Sequence, residues 1–533
     1  MEKKMKKLII YILASALMLP LISGCDLFDR LKRDYEETQT EAIEGENPAQ
    51  AEVSNDINIG IVDFDTLNPL LTGSPTMKEC LQFVYEPLFD VDEKQRIIPV
   101  LADSYTLSPD GRTIEIQLKH GVTWHDGSAF TSQDVAYTFK QIRSGITQYT
   151  DNLANVADYM GIDDDKLRIT LNYAVPNFVS YLNFPVVKYQ TDMSGLANFI
   201  PDGTGAFYFS AQLGTGKVLF AAYEGYWGGR ASIDSITATV IPDAQKYQSM
   251  FDASEIDVIT DSLLNLSEYT PRGSVTVNEY VTNKLTYLGF NTQNPLFKGS
   301  STRRAIAKLI DKDSIVNSTL YSRCVAVDTP INPTSVFYYD TNERFKKDEI
   351  LAMSLLGDDG WGTNANGDFT RITAGETQIL SFNILTDADN SEKCAVAEKI
   401  AAGIKEFGIA CEITALPYEE YKAGINSGNY EAAIDEIILA PNNDLSPLVS
   451  SAGNSFGYIN PTFDTLTAQL GMTADEEQQK ELYRQYGGGV TEEMPFIPLY
   501  FRKGYVLSSS KLKNELCPSS VRQYRNTAAW SVK

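Results

Sequence analysis

The sequence predicts an α/β protein built as more than one lobe, and three features carry that prediction. Several short runs alternate apolar with polar residues, the mark of half-buried strands. From about residue 378 the pattern becomes strand, helix, strand, the rhythm of crossover units on a sheet. Residues around 84–200 are richer in alternation than in helical spacing, which predicts a β-rich insert.

The elements follow in order. Ile57, Ile59 and Ile61 share one face of a first strand. Tyr105 and Leu107 lead into Ser108-Pro109-Asp110-Gly111, where Pro presets the turn and Gly supplies a positive φ, and Ile114, Ile116 and Leu118 return as the second arm of a hairpin. Thr131 to Ile142 is helical, with Thr131 as N-cap, Asp134 at N3, and Val135, Phe139 and Ile142 on one face. Leu167, Ile169 and Leu171 alternate after the turn Asp163-Asp164-Asp165, and Phe207 and Phe209 after Pro201-Asp202-Gly203-Thr204-Gly205. Thr302–Ile315 is expected as one amphipathic helix with Ala305, Ile306, Leu309 and Ile310 inward. Then come a strand over Ile379–Leu385, a helix over Cys394–Phe407, strands over Ile409–Leu416 and Ile434–Leu439, and a helix over Asp475–Tyr486.

The first residues read as an export signal: Lys3, Lys4, Lys6 and Lys7, an uncharged apolar stretch from Leu8 to Pro20, then Leu21-Ile22-Ser23-Gly24-Cys25. The apolar stretch is short of the roughly 20 residues needed to span a bilayer. This segment resembles a bacterial lipoprotein signal, which implies cleavage after residue 24 and diacylation of Cys25, since two chains anchor stably where one does not. Asp29 to Glu52 is acidic and aperiodic, a composition that cannot offset chain entropy by burial, and is expected to be a flexible tether.

The full chain carries a net charge of −25. Such acidity disfavours nucleic acid or an anionic lipid surface as partner. Beyond Cys25 five cysteines, Cys80, Cys324, Cys394, Cys411 and Cys517, stand far apart with no C-x-x-C, which predicts buried free thiols rather than a disulfide scaffold or zinc site. With only His120 and His125 in the chain, neither a His-rich metal site nor His-based catalysis is favoured, and no cofactor is expected. Asn364-Ala365-Asn366-Gly367-Asp368 lacks the spacing and distal Glu of an EF-hand and reads as a turn. His125-Asp126 could suggest a catalytic pair, but no G-x-S-x-G elbow accompanies it.

A set of motifs, weak singly and ordered along residues 57–530, carries a family resemblance. These are Leu67-Asn68-Pro69-Leu70; Val84-Tyr85-Glu86-Pro87-Leu88-Phe89; Pro99 to Ser104; Leu118 to Gly127; Pro201 to Phe207; Tyr226-Trp227-Gly228-Gly229-Arg230; Tyr287 to Asn291; Thr302 to Ile306; and Met494 to Tyr500. Together they resemble the extracytoplasmic solute-binding proteins of peptide/nickel-type ABC transporters, solute-binding protein family 5. The resemblance implies an α/β, two-lobed periplasmic-binding-protein fold with a β-rich insert domain on the first lobe and a ligand cleft between the lobes. It divides the chain into a signal over 1–24, the lipidated Cys25 and tether over 25–54, a first lobe over 55–83, 201–284 and 505–533, an insert over 84–200, and a second lobe over 285–504. It implies a monomer, not an enzyme, that captures a peptide or peptide-like solute, closes by hinge motion, and delivers it to an ABC permease and ATPase, held near them by lipid on Cys25. A peptide-pheromone receptor, a binder of a chelated metal or a sugar, and, least favoured, a lipoprotein hydrolase are the alternatives.

In peptide-binding members an acid in a second-lobe loop, in a pattern like Gly-Asp-x-x-Asp-Pro, pairs with the peptide's amino terminus. The matching stretch here is Ala440-Pro441-Asn442-Asn443-Asp444-Leu445, with Pro441 at the acid's position. A desolvated ammonium needs a partner charge or full hydrogen bonding, so Asn442, Asn443 or Asp444 must substitute or the ligand lacks that amine. The expected ligand contacts are Ala440, Asn442, Asn443 and Asp444, with Thr72, Gly73 and Ser74 offering backbone groups and Asn291 a side-chain amide. Trp124 and Trp227 are expected as packing residues.

Overall fold

A computed structural model describes residues 55–193, 199–214, 216–260, 272–339, 346–514 and 516–533. The signal, Cys25 and the acidic tether lie outside the described residues. One eleven-stranded sheet runs through the described chain. Its spatial order is Ala410–Leu416, Ser381–Asp387, Ala432–Ile438, Val275–Phe290, Phe496–Ser509, Val258–Thr260, Asp56–Ile61, Ser235–Val240, Lys217–Ala222 and Phe207–Leu213, with Cys324–Ala326 pairing beside Phe496–Ser509.

Val275–Phe290 and Phe496–Ser509 are the two long members, and they pair with each other antiparallel. Towards Ser509 they are flanked by Val258–Thr260, and towards Phe496 by Ala432–Ile438. The sheet therefore has two halves joined by two shared strands. Hydrophobic cores divide the same way. One cluster gathers Ile57, Ile59, Phe83, Trp124, Ile169, Phe207 and Ile236 with Val506, Leu512 and Trp530. Two others lie wholly within 285–501, around Leu288, Ile384, Val396 and Ile497, and around Tyr287, Leu448, Phe463 and Tyr483.

The local readings mostly hold. Strand Asp56–Ile61 buries all three isoleucines. Ala102–Leu107 and Thr113–Leu118 form the expected hairpin, with Gly111 at φ +69°. They extend into a four-stranded antiparallel sheet with Lys166–Leu171 and Val156–Asp163. Helix Ser132–Gln141 starts with the Thr131/Asp134 capping box.

Three elements depart from expectation. The helix expected over Thr302–Ile315 ends at Leu309. Ile310 takes extended geometry, and Asp311 accepts from Ser314 N at 2.8 Å to start a separate turn, so a second local cap wins over continuous apolar spacing. The strand expected over Ile379–Leu385 is two: Ile379 ends a small sheet with Phe369–Thr373, and Ser381–Asp387 enters the main one. The helix expected to stop near Tyr486 runs over Glu476–Glu493, through three glycines. Each glycine costs about 1 kcal/mol in helix propensity. At two of them the space is needed: a Cβ at Gly487 would sit 2.4 Å from the Tyr339 hydroxyl, and one at Gly489 3.0 Å from the Phe463 ring, while Gly488 meets nothing within 4 Å.

The five described cysteines are free thiols. Cys80, Cys324 and Cys411 are buried as expected, but Cys394 is partly exposed and Cys517 exposed. No helix among the described residues is long and apolar enough to cross a membrane.

Candidate functional site

Strands Ser381–Asp387, Ala410–Leu416 and Ala432–Ile438 run parallel, so their carboxyl ends share one edge. In open α/β sheets that edge is where ligands gather. The loop after Ile438 holds four of the expected site residues. Leu439 N donates to Asn283 O at 2.9 Å, and Asn443 N to Ala440 O at 3.2 Å. Asn443 adopts φ +56°, a left-handed geometry that Asn tolerates better than most residues. Asn442 is fully buried, and its Oδ1 accepts from Asp444 N at 3.1 Å. Asp444 in turn accepts from Ser446 N and Ser446 Oγ, both at 2.8 Å. Burial pushes the Asp444 carboxyl above its ordinary range, against the two bonds from Ser446. Tyr483 fixes the loop from below, its hydroxyl donating to Asn443 O at 3.0 Å.

The loop meets a segment from the β-rich region. Asn442 Nδ2 donates to Pro176 O at 3.1 Å, and Asn177 Nδ2 returns a bond to Asn442 O at 3.2 Å. Gln479 Nε2 donates to Asn177 Oδ1 at 2.7 Å. Beside this junction lies a cavity of about 140 Å³, whose lining includes Pro441 and Asn443 from the loop together with Gln95, Tyr105, Asn177, Phe337 and Gln479. Its charged members, Arg96 and Glu476, lie 3.5 Å apart and pair with each other. The lining is thus rich in amides, with Tyr and Phe rings beside them. It suits hydrogen-bonded recognition of a solute with amide or hydroxyl groups.

Of the expected contacts the structure brings Asn443 into this cavity, beside Pro441; Ala440, Asn442 and Asp444 share its loop without lining the cavity, and the others lie elsewhere. Thr72, Gly73 and Ser74 are organised by two carboxylates. Thr72 Oγ1 and Gly73 N donate to Asp65 at 2.6 and 2.5 Å, while Ser74 caps helix Pro75–Leu81 and also bonds Asp63. Burial opposes ionisation of Asp65, but the bonds from Thr72 and Gly73 outweigh it and hold its carboxyl below the usual range. The Thr72 carbonyl accepts from Gln148 Nε2 at 3.2 Å. Asn291 spends its amide on Gly428 O and Tyr430 O, at 2.9 and 3.1 Å, inside the half built from 285–501. Gln95, Tyr105, Asn177, Phe337 and Gln479 were not among the expected residues. They come from four separate stretches of the chain, and no local motif marks them.

Other candidates resolve into structure. His125 accepts from Gly203 N at 3.2 Å and bonds Gly205 O at 2.9 Å, while Asp126 turns away to Ser128 and Lys188, so the two are no catalytic pair. Asn364 Oδ1 accepts from Asn366 N and Asp368 N, a closed Asx turn. Among the described residues no group of three His, Cys, Asp or Glu side chains could hold a metal ion. Trp124 is buried in the core, and Trp227 donates to Glu86 at 2.8 Å, both as packing residues.

Comparisons with known proteins give the family and the fold. Residues 96–457 match the model for bacterial extracellular solute-binding proteins, family 5 Middle. The chain is 25% identical over 471 residues to heme-binding protein A of Haemophilus influenzae, covering 81% of this chain and 84% of that one. It is 22% identical over 491 residues to the oligopeptide-binding protein AppA of Bacillus subtilis, covering 86% and 88%. A solved nickel ABC transporter structure from Bacillus halodurans superposes with a TM-score of 0.75 at 22% identity, covering 90% of this chain and all of that one.

Proposed function

We propose, from the premise that this chain belongs to family 5 of the bacterial extracellular solute-binding proteins, that it captures a peptide or peptide-like solute outside the cytoplasm. Membership makes it a two-lobed substrate-binding component of an ABC transporter; its relatives take heme, oligopeptide or nickel, so the solute must be argued from this chain's own residues. The observation that carries the peptide reading is the cavity beside the 439–445 loop, whose polar lining is mostly amide: Gln95, Asn177, Asn443 and Gln479. Gln95, Asn177 and Gln479 donate within the protein, so the Asn443 amide, which can donate and accept, and the Gln95 and Gln479 carbonyl oxygens, which accept, are the groups that match a peptide backbone.

The solute is one that does not rely on a free α-ammonium at this loop. Pro441 offers no charge there. Asp444 has both oxygens engaged by Ser446, and burial favours its neutral form. Thr72–Ser74 and Asn291 act in this reading by shaping the two halves that close on the solute. Lipid on Cys25 and the acidic segment to residue 54 hold the binder beside its permease and raise its effective concentration there.

Thermal unfolding with solute pools tests the reading, because a ligand bound only to the folded state raises the midpoint. N-acetylated short peptides should raise it at least as much as their free-amine counterparts. A rise with sugars or metal chelates and none with either peptide pool would overturn the peptide assignment. Separately, Cys25→Ser should move the protein from the membrane fraction to the medium or periplasm; unchanged fractionation would remove the lipid anchor.

A further inference from the structure

Strand Val275–Phe290 pairs with strand Phe496–Ser509 along its length with a break, and from Lys284 on it also takes Ala432–Ile438 on its other side. Residues 275–281 pair with 503–509, and 285–289 pair with 496–501. The register shifts between Val281 and Leu285, so Thr282-Asn283-Lys284 form a bulge where the strand passes from one half of the protein to the other. A break in ladder pairing at such a crossing is where backbone rotation costs least.

Three elements converge on this bulge. Gln95 Nε2 donates to Asn283 Oδ1 at 2.6 Å. Asn332 Nδ2 donates to the same oxygen and to Thr282 O, both at 3.0 Å. Asn283 O accepts from Leu439 N at 2.9 Å, the first residue of the loop that walls the cavity. Gln95, Asn283 and Asn332 are all buried. Gln95 arrives on a hairpin tip between strands Phe89–Val91 and Ile97–Pro99, and holds φ +58° to do so.

That tip is held from both halves of the protein. Arg525 Nη1 bonds Glu93 in the tip at 2.8 Å, and Arg522 lies 3.4 Å from Asp90 on the strand that leads to it; both arginines belong to the carboxyl-terminal segment. On the other side, Lys94 O accepts from Val336 N at 3.0 Å, and Arg96 pairs with Glu476. Gln95, Arg96 and Ile97 also line the cavity.

We propose that the 92–96 tip is a clasp coupling the cavity to the hinge, with the Gln95 carboxamide as the positioning group on Asn283. Closing the tip onto the bulge fixes Asn283, and Asn283 fixes Leu439 and the loop behind it. A solute in the cavity and the hinge geometry then stabilise each other through one buried amide chain. The solute half of this inference rests on the proposed function; the hinge half does not.

The experiment uses the full chain with Gln95→Ala, and Lys94→Ala as control, because the Lys94 side chain is exposed and its bond to Val336 is made by the backbone. In solute-free protein, hydrogen exchange at the Leu439 amide should quicken about tenfold in Gln95→Ala, with Val258–Thr260 unchanged and Lys94→Ala like the parent. Equal Leu439 exchange in parent and Gln95→Ala would overturn the clasp. With the N-acetylated peptide pool, Gln95→Ala should release bound peptide about tenfold faster at an association rate within about twofold of the parent. Unchanged release, or an equal change in both rates, would overturn the coupling to solute. A parent protein that binds no peptide overturns the proposed function, while the exchange result still decides the clasp.

Discussion

Asn442 Nδ2 donates to Pro176 O across 266 residues of sequence, and this bond, with the one Asn177 Nδ2 returns to Asn442 O, seats the 439–445 loop against the β-rich region. Asn442→Ala should therefore lower stability by about 1–2 kcal/mol, since a buried carbonyl loses its donor. Asn442→Asp should cost more, because an acceptor then faces the Pro176 carbonyl. Urea unfolding reads both; a midpoint equal to the parent's in both variants would show the junction carries no energy.

Glu86 is a second point of leverage. Its carboxylate is buried and takes hydrogen bonds from Tyr226, Trp227 and Thr204 at 2.8, 2.8 and 2.9 Å. Burial pushes its carboxyl above the ordinary range, while the three donors pull it back. Glu86→Ala orphans all three donors and should cost about 3–5 kcal/mol. Glu86→Gln should be much milder, as its oxygen keeps Trp227 and Thr204 and its NH₂ can donate to the Tyr226 oxygen. Thermal midpoints and Trp fluorescence should rank the variants in that order; the reverse ranking would contradict the network.

Asp126 gives a pH dependence. Hydrogen bonds from Lys188 and then Ser128 hold its carboxyl down at about 2. A carboxyl lowered in the folded state adds stability above its unfolded value near 3.8, and loses it as pH falls through about 2. Lys188→Met should be less stable than the parent at neutral pH, with the gap closing between about pH 4 and pH 2. The group is largely exposed, so the gap should be small and shrink with added salt. A gap that widens towards pH 2 would exclude this pairing.

Gly203 tests the Pro201–Gly205 loop. A Cβ there would lie 1.9 Å from Val84 O, a backbone atom that cannot swing aside. Gly203→Ala should cost about 3 kcal/mol through backbone displacement. Gly357, in helix Glu349–Asp358, meets nothing within 4 Å, so Gly357→Ala should be neutral or stabilising by up to about 1 kcal/mol. Denaturant midpoints moving the same way in both would refute the contrast.

Much of the fold was legible because its signals are local. The isoleucine alternation at 57–61, the Ser-Pro-Asp-Gly turn and the Thr131/Asp134 cap each act within a few residues, and each appears as expected. Where the pattern misled, either a competing local cap intervened, as Asp311 does after Leu309, or a tertiary contact overrode it, as when Tyr339 and Phe463 claim the space that Gly487 and Gly489 leave. The site was harder. The 440–445 loop could be found as a contiguous stretch, but the rest of the lining, Gln95, Tyr105 and Asn177 among it, is assembled from turns and strands whose chemistry is ordinary one residue at a time.

The shared strands also impose an order on folding. Strand Val258–Thr260 pairs with residues 506–508, and the core around Ile57 and Phe207 is completed by Leu512, Leu516 and Trp530. During synthesis or export, this half waits unfinished until the last segment of the chain arrives. The half built from 285–501 is contiguous and can consolidate earlier. Such long-range closure is slow and leaves apolar strands exposed meanwhile. Truncation after about residue 505 should thus spare the second half while leaving the amino-terminal half as an aggregation-prone intermediate.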